Sequence, residues 1–159
     1  MNVESSSSLK ITGDITLSVW VKFIEGGNGN PRIISHGWEK GWELLTGKTA
    51  GSRVGFFHGG NKHRTVDGTF KGDDSWVHIL ALKKGTEFSL FVNGVKNQIG
   101  NNTGEPKQVG FSSSLDIGRV SGRDGDHFKG SVDDVRIYNR ALTEEQVKAL
   151  YEWEKPKAE

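Results

Sequence analysis

Between Ser35 and Arg64 the chain sets aromatic rings among polar and basic groups on a glycine-rich background: His36, Trp38, Glu39, Trp42, Arg53, Phe57, His58, Asn61, His63 and Arg64. That mixture matches the chemistry of sugar recognition. A pyranose offers apolar C–H faces that stack on aromatic rings, while its hydroxyls want planar amide, carboxylate or guanidinium partners. Trp38, between Gly37 and Glu39, is the expected stacking platform, with His36, Arg53, His58 and Arg64 as hydrogen-bonding partners. Packing is the competing reading for both tryptophans, and Trp42 is assigned to the core. A second candidate is the loop Ser121-Gly122-Arg123-Asp124-Gly125-Asp126-His127, where Arg123 and Asp124 are placed to touch a ligand. A solvated turn accounts for the same glycine-flanked charges. Basic groups in both regions suit an anionic polysaccharide, because charge-assisted hydrogen bonds to carboxylate or sulfate are stronger than neutral ones.

The residues for catalysis are missing by the same standard. The chain has no Gly-x-Ser-x-Gly elbow, no His-Glu-x-x-His helix and no Glu-x-Asp-x-x-Glu strand, the arrangements that would supply a nucleophile, a metal-bound water or paired carboxylates. With no cysteine there is neither a disulfide nor thiolate chemistry. Its 21 basic and 20 acidic residues leave a formal charge of +1, which gives no field to hold a nucleic-acid backbone. No apolar run approaches the roughly 20 residues that a membrane-spanning helix needs, and the Met-Asn-Val-Glu-Ser start lacks the pattern of a signal peptide. The expectation is a non-enzymatic, soluble domain excised from a larger multidomain protein, with no membrane insertion and no nucleic-acid partner.

The elements that must hold these residues read as all-β. A length of 159 residues suits one domain with its own core, and 22 glycines against 3 prolines imply many tight turns. Ile15, Leu17, Val19, Val21 and Phe23 alternate with polar neighbours and Trp20, the period of a strand buried on one face. Shorter β-forming runs follow at 32–36, 41–46 and 53–58, each bounded by glycine. A hairpin is expected from 76–83 and 87–93 around Lys84-Gly85, then strands at 114–119 and 130–138. Thr143-Glu144-Glu145-Gln146 is a capping box that starts a helix over about 143–153, with Val147, Leu150 and Tyr151 on one stripe and a charged tail from 154 to 159.

The run Phe128-Lys129-Gly130-Ser131-Val132-Asp133-Asp134-Val135-Arg136-Ile137-Tyr138-Asn139-Arg140-Ala141-Leu142-Thr143 resembles the closing signature of bacterial laminin-G-like jelly-roll domains of the concanavalin-A-like lectin and glucanase superfamily. Ser7-Ser8-Leu9, Ile15–Lys22, Trp76-Val77-His78 and Leu90-Phe91-Val92-Asn93-Gly94 follow the same family order. The resemblance covers most of the chain and implies an antiparallel two-sheet jelly-roll sandwich with one short C-terminal helix. Such domains usually begin with an outer strand carrying an aspartate; only Met1 to Ser6 precede the Ser-Leu segment, so that strand is expected to be shortened or missing. The resemblance also implies one structural calcium ion, for which Asp133 and Asp134 are the candidate ligands. Adjacent strand residues point to opposite faces, so one would bind the ion while the other caps a turn or pairs with Arg136. His78 matches a structural position. The functional expectation is a secreted or cell-surface carbohydrate-binding module, bacterial in origin, attached to a polysaccharide-acting enzyme. The alternative is an adhesion or assembly domain that binds a protein partner.

Overall fold

The computed structural model describes residues 1–24, 30–37, 41–47, 53–59, 65–70, 74–97, 110–111, 114–123 and 125–156, with the backbone alone for 65–68. Strands β1 (Asn2–Glu4), β2 (Ile15–Phe23), β3 (Arg32–His36), β4 (Trp42–Thr46), β5 (Val54–His58), β6 (Thr65–Gly68), β7 (Trp76–Lys84), β8 (Glu87–Val92), β9 (Val95–Lys96), β10 (Ser114–Ile117) and β11 (Gly130–Tyr138) precede one helix, α1 (Glu144–Glu154). A six-stranded sheet in the order β1-β10-β3-β4-β5-β6 faces a five-stranded sheet in the order β11-β2-β7-β8-β9, and every strand pair is antiparallel. This is the expected sandwich. The outer strand is present as β1, where Asn2 pairs with Asp116 of β10.

The core lies between the sheets. Alternation puts Ile15, Leu17, Val19, Val21 and Phe23 of β2 and Val77, Ile79 and Ala81 of β7 against Ile34, Trp42, Leu44, Val54 and Phe56. An irregular register between Arg32 and Ile34 turns Ile33 inward as well. Trp42 has no exposed surface, so it is a core residue as its sequence context indicates.

β2 departs from the one-sided pattern: Thr16, Ser18 and Trp20 on its outer face are buried too. The chain after β11 covers them. Thr16 Oγ1 donates to the Arg140 carbonyl at 2.8 Å and accepts the Leu142 amide at 3.1 Å, and Trp20 Nε1 donates to Glu154 of α1 at 3.0 Å. The helix forms where the capping box starts it, with Gln146 N donating to Thr143 Oγ1 and Thr143 N to Gln146 Oε1. Its Val147 and Leu150 then close a second cluster with Leu80, Leu82, Phe91 and Leu142. Fully burying Val147 contributes roughly 1.5–3 kcal/mol to this docking.

Gly130 opens β11 where no side chain fits. A Cβ there would sit 2.1 Å from the Lys22 carbonyl oxygen and 2.9 Å from the Phe128 ring. Because the nearer obstacle is backbone in a paired strand, Gly130→Ala is expected to cost about 2–3 kcal/mol. Chemical denaturation measures this as a lower midpoint with an unchanged slope.

Candidate functional site

The outer face of the six-stranded sheet carries a polar row rather than an apolar one. Register places Asn2, Asp116, Ser35 and Glu43 side by side across four strands, with Phe57 of β5 next in line. Asp116, Ser35 and Glu43 are nevertheless buried, and Arg32 joins them from the same face. Ser35 Oγ donates to Glu43 Oε1 at 2.7 Å. The Arg32 guanidinium bridges Glu43 at 3.4 Å and Asp126 at 3.2 Å and also donates to the Asn30 carbonyl. Buried charges persist only when paired in this way.

Two of the carboxylates tie down the segment that follows β10. Asp116 accepts the Ser121 amide at 2.7 Å and the Asn2 side-chain amide at 2.8 Å. Burial pushes the Asp116 carboxyl up, but the hydrogen bonds from Ser121 and Asn2, with Arg119 nearby, outweigh it and hold it below the usual carboxylate range. Asp126 accepts the Asn30 amide at 3.0 Å, while its own carbonyl accepts the Arg32 amide. The same two aspartates also hold the arginines at the surface: Arg119 Nε lies 3.6 Å from Asp116, and Arg123 Nε lies 3.4 Å from Asp126. Arg119 Nη2 also donates to Ser121 Oγ at 3.3 Å, and with side chains 47% and 42% exposed the two arginines combine internal contacts with solvent exposure. Five donors in a rigid fork allow one group to serve both.

Of the residues expected to bind ligand, those described do not converge on one point. Arg123 is on this rim. Arg53 is half-buried at the same end of the sheet, where its carbonyl accepts the Gly47 amide and the Pro31 carbonyl accepts the Thr46 amide. His36 and His58 belong to the other ends of β3 and β5, and both are fully buried. They alternate with outward residues and therefore face the core beside Trp42. His36 Nε2 shares a hydrogen bond with Ser5 Oγ at 2.8 Å. This interior placement differs from the rim contact expected of them. Trp38, Arg64 and Asp124 lie outside the described residues, as do Glu39, Asn61 and His63. Arg119 was missed. It lies two residues past the end of β10, whose buried Asp116 holds it at the rim.

Asp133 and Asp134 also behave differently from a regular strand. The register of β11 shifts between Asp133 and Arg136, and Asp134 has a left-handed φ of 47°. Such an extra residue bends the strand, and both carboxylates line one cleft instead of opposite faces. Asp133 Oδ1 accepts the Asp134 amide at 2.8 Å, and Asp134 Oδ1 faces the Arg136 guanidinium at 3.6 Å. Calcium wants six to eight oxygens around one point. No group of three His, Cys, Asp or Glu converges for a metal among the described residues. His78, expected to be structural, is buried with Nε2 bonded to Ser18 Oγ at 2.8 Å.

A sequence profile described as the Concanavalin A-like lectin/glucanases superfamily, in its laminin-G branch, matches residues 1–148. The chain belongs to that family. Comparison with curated proteins gave no match. Among solved structures the chain is similar to the receptor-binding domain of botulinum neurotoxin C/D mosaic serotype, with a TM-score of 0.72 and 15% identity over 96% of this chain and 40% of that one. It is similar to botulinum neurotoxin type C, whose cell entry depends on interaction with two ganglioside molecules (TM-score 0.69, 15% identity, 96% and 39% covered). A third is the binding domain of botulinum neurotoxin DC in complex with SialylT (TM-score 0.65, 15% identity, 96% and 39% covered). The chain thus spans about two fifths of these domains, and at such identity the likeness is one of fold. Among the described residues no helix is long and apolar enough to cross a membrane.

Proposed function

We propose that this domain is a non-catalytic module that binds an anionic glycan at the Arg119–His127 rim, within a larger extracellular protein that acts on polysaccharide. The observation that carries the reading is the pair of anchored arginines, Arg119 and Arg123, each held by a buried aspartate while its side chain stays 47% and 42% exposed respectively. Fixing donors in advance removes the ordering cost a flexible side chain pays on binding, and a guanidinium fork suits the carboxylate of a sialic or uronic acid. Membership of a lectin-like family supports the ligand class, as do the ganglioside and SialylT named for the toxin domains.

Binding without catalysis is supported by what the carboxylates already do. Glycoside hydrolysis needs two acids flanking the scissile bond. Here Glu43, Asp116 and Asp126 are buried and occupied by Ser35, Arg32, Asn2, Ser121 and Asn30. A binding module tethered to an enzyme raises the local concentration of substrate through the shared linker, which is the role proposed for it.

Affinity electrophoresis through gels cast with neutral or anionic polysaccharides tests the reading. Retardation is expected in an anionic gel, weakened as salt rises, and Arg119→Ala with Arg123→Ala is expected to reduce affinity roughly tenfold or more. Equal retardation of wild type and variant would remove the rim from the account. Failure to bind any glycan would favour the adhesion or assembly alternative.

A further inference from the structure

A second site lies on the five-stranded sheet, where strand alternation and the β11 bulge bring aromatic rings and acids together. Trp76 begins β7 on its outer face and is 38% exposed. Trp20, on the same face of neighbouring β2, is buried, and Asp133 pairs across from Trp20 in β11. Trp20, Trp76, Asp133, Asp134, Glu154 and Pro156 line an open cleft of about 170 Å³.

The lining is short of donors. Trp20 Nε1 is committed to Glu154 at 3.0 Å, and Pro156 has no N–H. The Glu154 side chain, 2% exposed, also receives the Arg136 guanidinium, and Lys22 turns its ammonium to Asp74 at 3.3 Å. Among the described residues, the Asp133 and Asp134 carboxylates thus stand beside indole rings with only Arg136 set against them. The carboxylates are dispersed around the cleft rather than focused on one point, which disfavours a compact metal ion. A larger, diffuse cation that can lie on an indole face satisfies the same charge.

The geometry points to a binding site for an alkylammonium group, separate from the arginine rim in both position and sign of charge. The group is either a primary ammonium such as a lysine side chain or a quaternary one such as choline. Its methylenes or methyls rest on Trp76, and its charge is shared by Asp133 and Asp134.

The test is an NMR titration that follows the Trp76 indole N–H. The probes are Nα-acetyl-lysine methylamide, choline and tetramethylammonium, with Nα-acetyl-norleucine methylamide as the uncharged control. Saturable shifts are expected from at least one ammonium probe and none from norleucine. The ranking of lysine against choline identifies the source of the group. Asp133→Asn combined with Asp134→Asn is expected to weaken binding roughly tenfold. Both positions are exposed and asparagine tolerates the left-handed backbone at 134, so the fold should survive this change. Trp76→Ala gives an independent second variant, followed by the backbone amides of β11. Equal binding of norleucine, an unaffected double variant, or no saturation by any ammonium overturns the site.

Discussion

Lowering the pH from 7 to 4.5 is expected to remove on the order of 5 kcal/mol of folding stability. The loss comes from histidines held neutral in the interior. His58 and His78 are fully buried, and burial, helped by the nearby charges of Lys83 and Arg136 respectively, lowers each pKa to about 4. His36 is shifted the same way, chiefly by burial. In the unfolded chain a histidine titrates near 6.5, so between pH 6.5 and 4 the unfolded state binds more protons than the folded one. Stability is then fully present above 6.5 and is lost as pH falls towards 4. Each tenfold loss of proton affinity on folding is worth about 1.4 kcal/mol, which makes each of the two rings contribute up to about 3 kcal/mol across the window. A domain of this size has only about 5–15 kcal/mol in total, so the effect is large enough to unfold it in mild acid. The aspartate contribution is separable: Asp116, held low in the folded state, loses its stabilising effect only below its ordinary value near 3.8. Urea midpoints measured from pH 7.5 to 4 should fall steeply below 6.5. A flat profile down to pH 5 would mean that these rings do not remain neutral and buried.

Arg32→Ala is the substitution expected to do most damage outside the hydrophobic core. Its guanidinium joins Glu43 and Asp126, with side-chain exposures of 6%, 2% and 10%. Removing one partner from a buried ion network costs about 3–5 kcal/mol, because the other charge stays behind in a poor solvent. The lower end applies here, since Asp126 keeps Arg123 at 3.4 Å and Glu43 keeps Ser35 at 2.7 Å. For a domain of this length, about 3 kcal/mol corresponds to a fall in Tm of roughly 6–12 °C. Arg32→Lys keeps the charge but loses the fork and should fall between wild type and alanine. The same change should also loosen the Arg119–His127 rim, because Asp126 loses one of its anchors. Calorimetric unfolding of the three proteins settles the order; a Tm for Arg32→Ala within about 2 °C of wild type would show that the network is not a stabilising unit.

Much of the fold was legible because period and punctuation carry it. β2 announces itself through five alternating apolar residues, and α1 through a capping box whose two hydrogen bonds both form. Three strands escaped notice. β1 has three exposed residues and β9 has two, too few to show any period, and β6 is the four-residue Thr-Val-Asp-Gly. Their pairing is decided by neighbours distant in sequence, as when Asn2 meets Asp116.

The site was less legible for the same reason. Residue type marked His36 and His58 as ligand contacts, but their parity along β3 and β5 sends them inward with Trp42. Asp133 and Asp134 looked like neighbours on opposite faces, and the bulge at Asp134 overrides that alternation. Trp76 was recognised as part of a strand, yet its parity opposite Val77, Ile79 and Ala81 already placed it on the outer face. Arg123 was found from its loop context, whereas the aspartates that fix it and Arg119 in place become visible only once β10 lies beside β3.

The most direct test of the arginine rim is an amide NMR titration of the intact domain with a sialylated or uronate-containing oligosaccharide. Shifts centred on Arg119 to His127, lost when Arg119 and Arg123 are both alanine while the remaining spectrum is preserved, are the predicted result. Shifts confined to the face bearing Trp76 and Asp133, or binding undiminished in that variant, would contradict it.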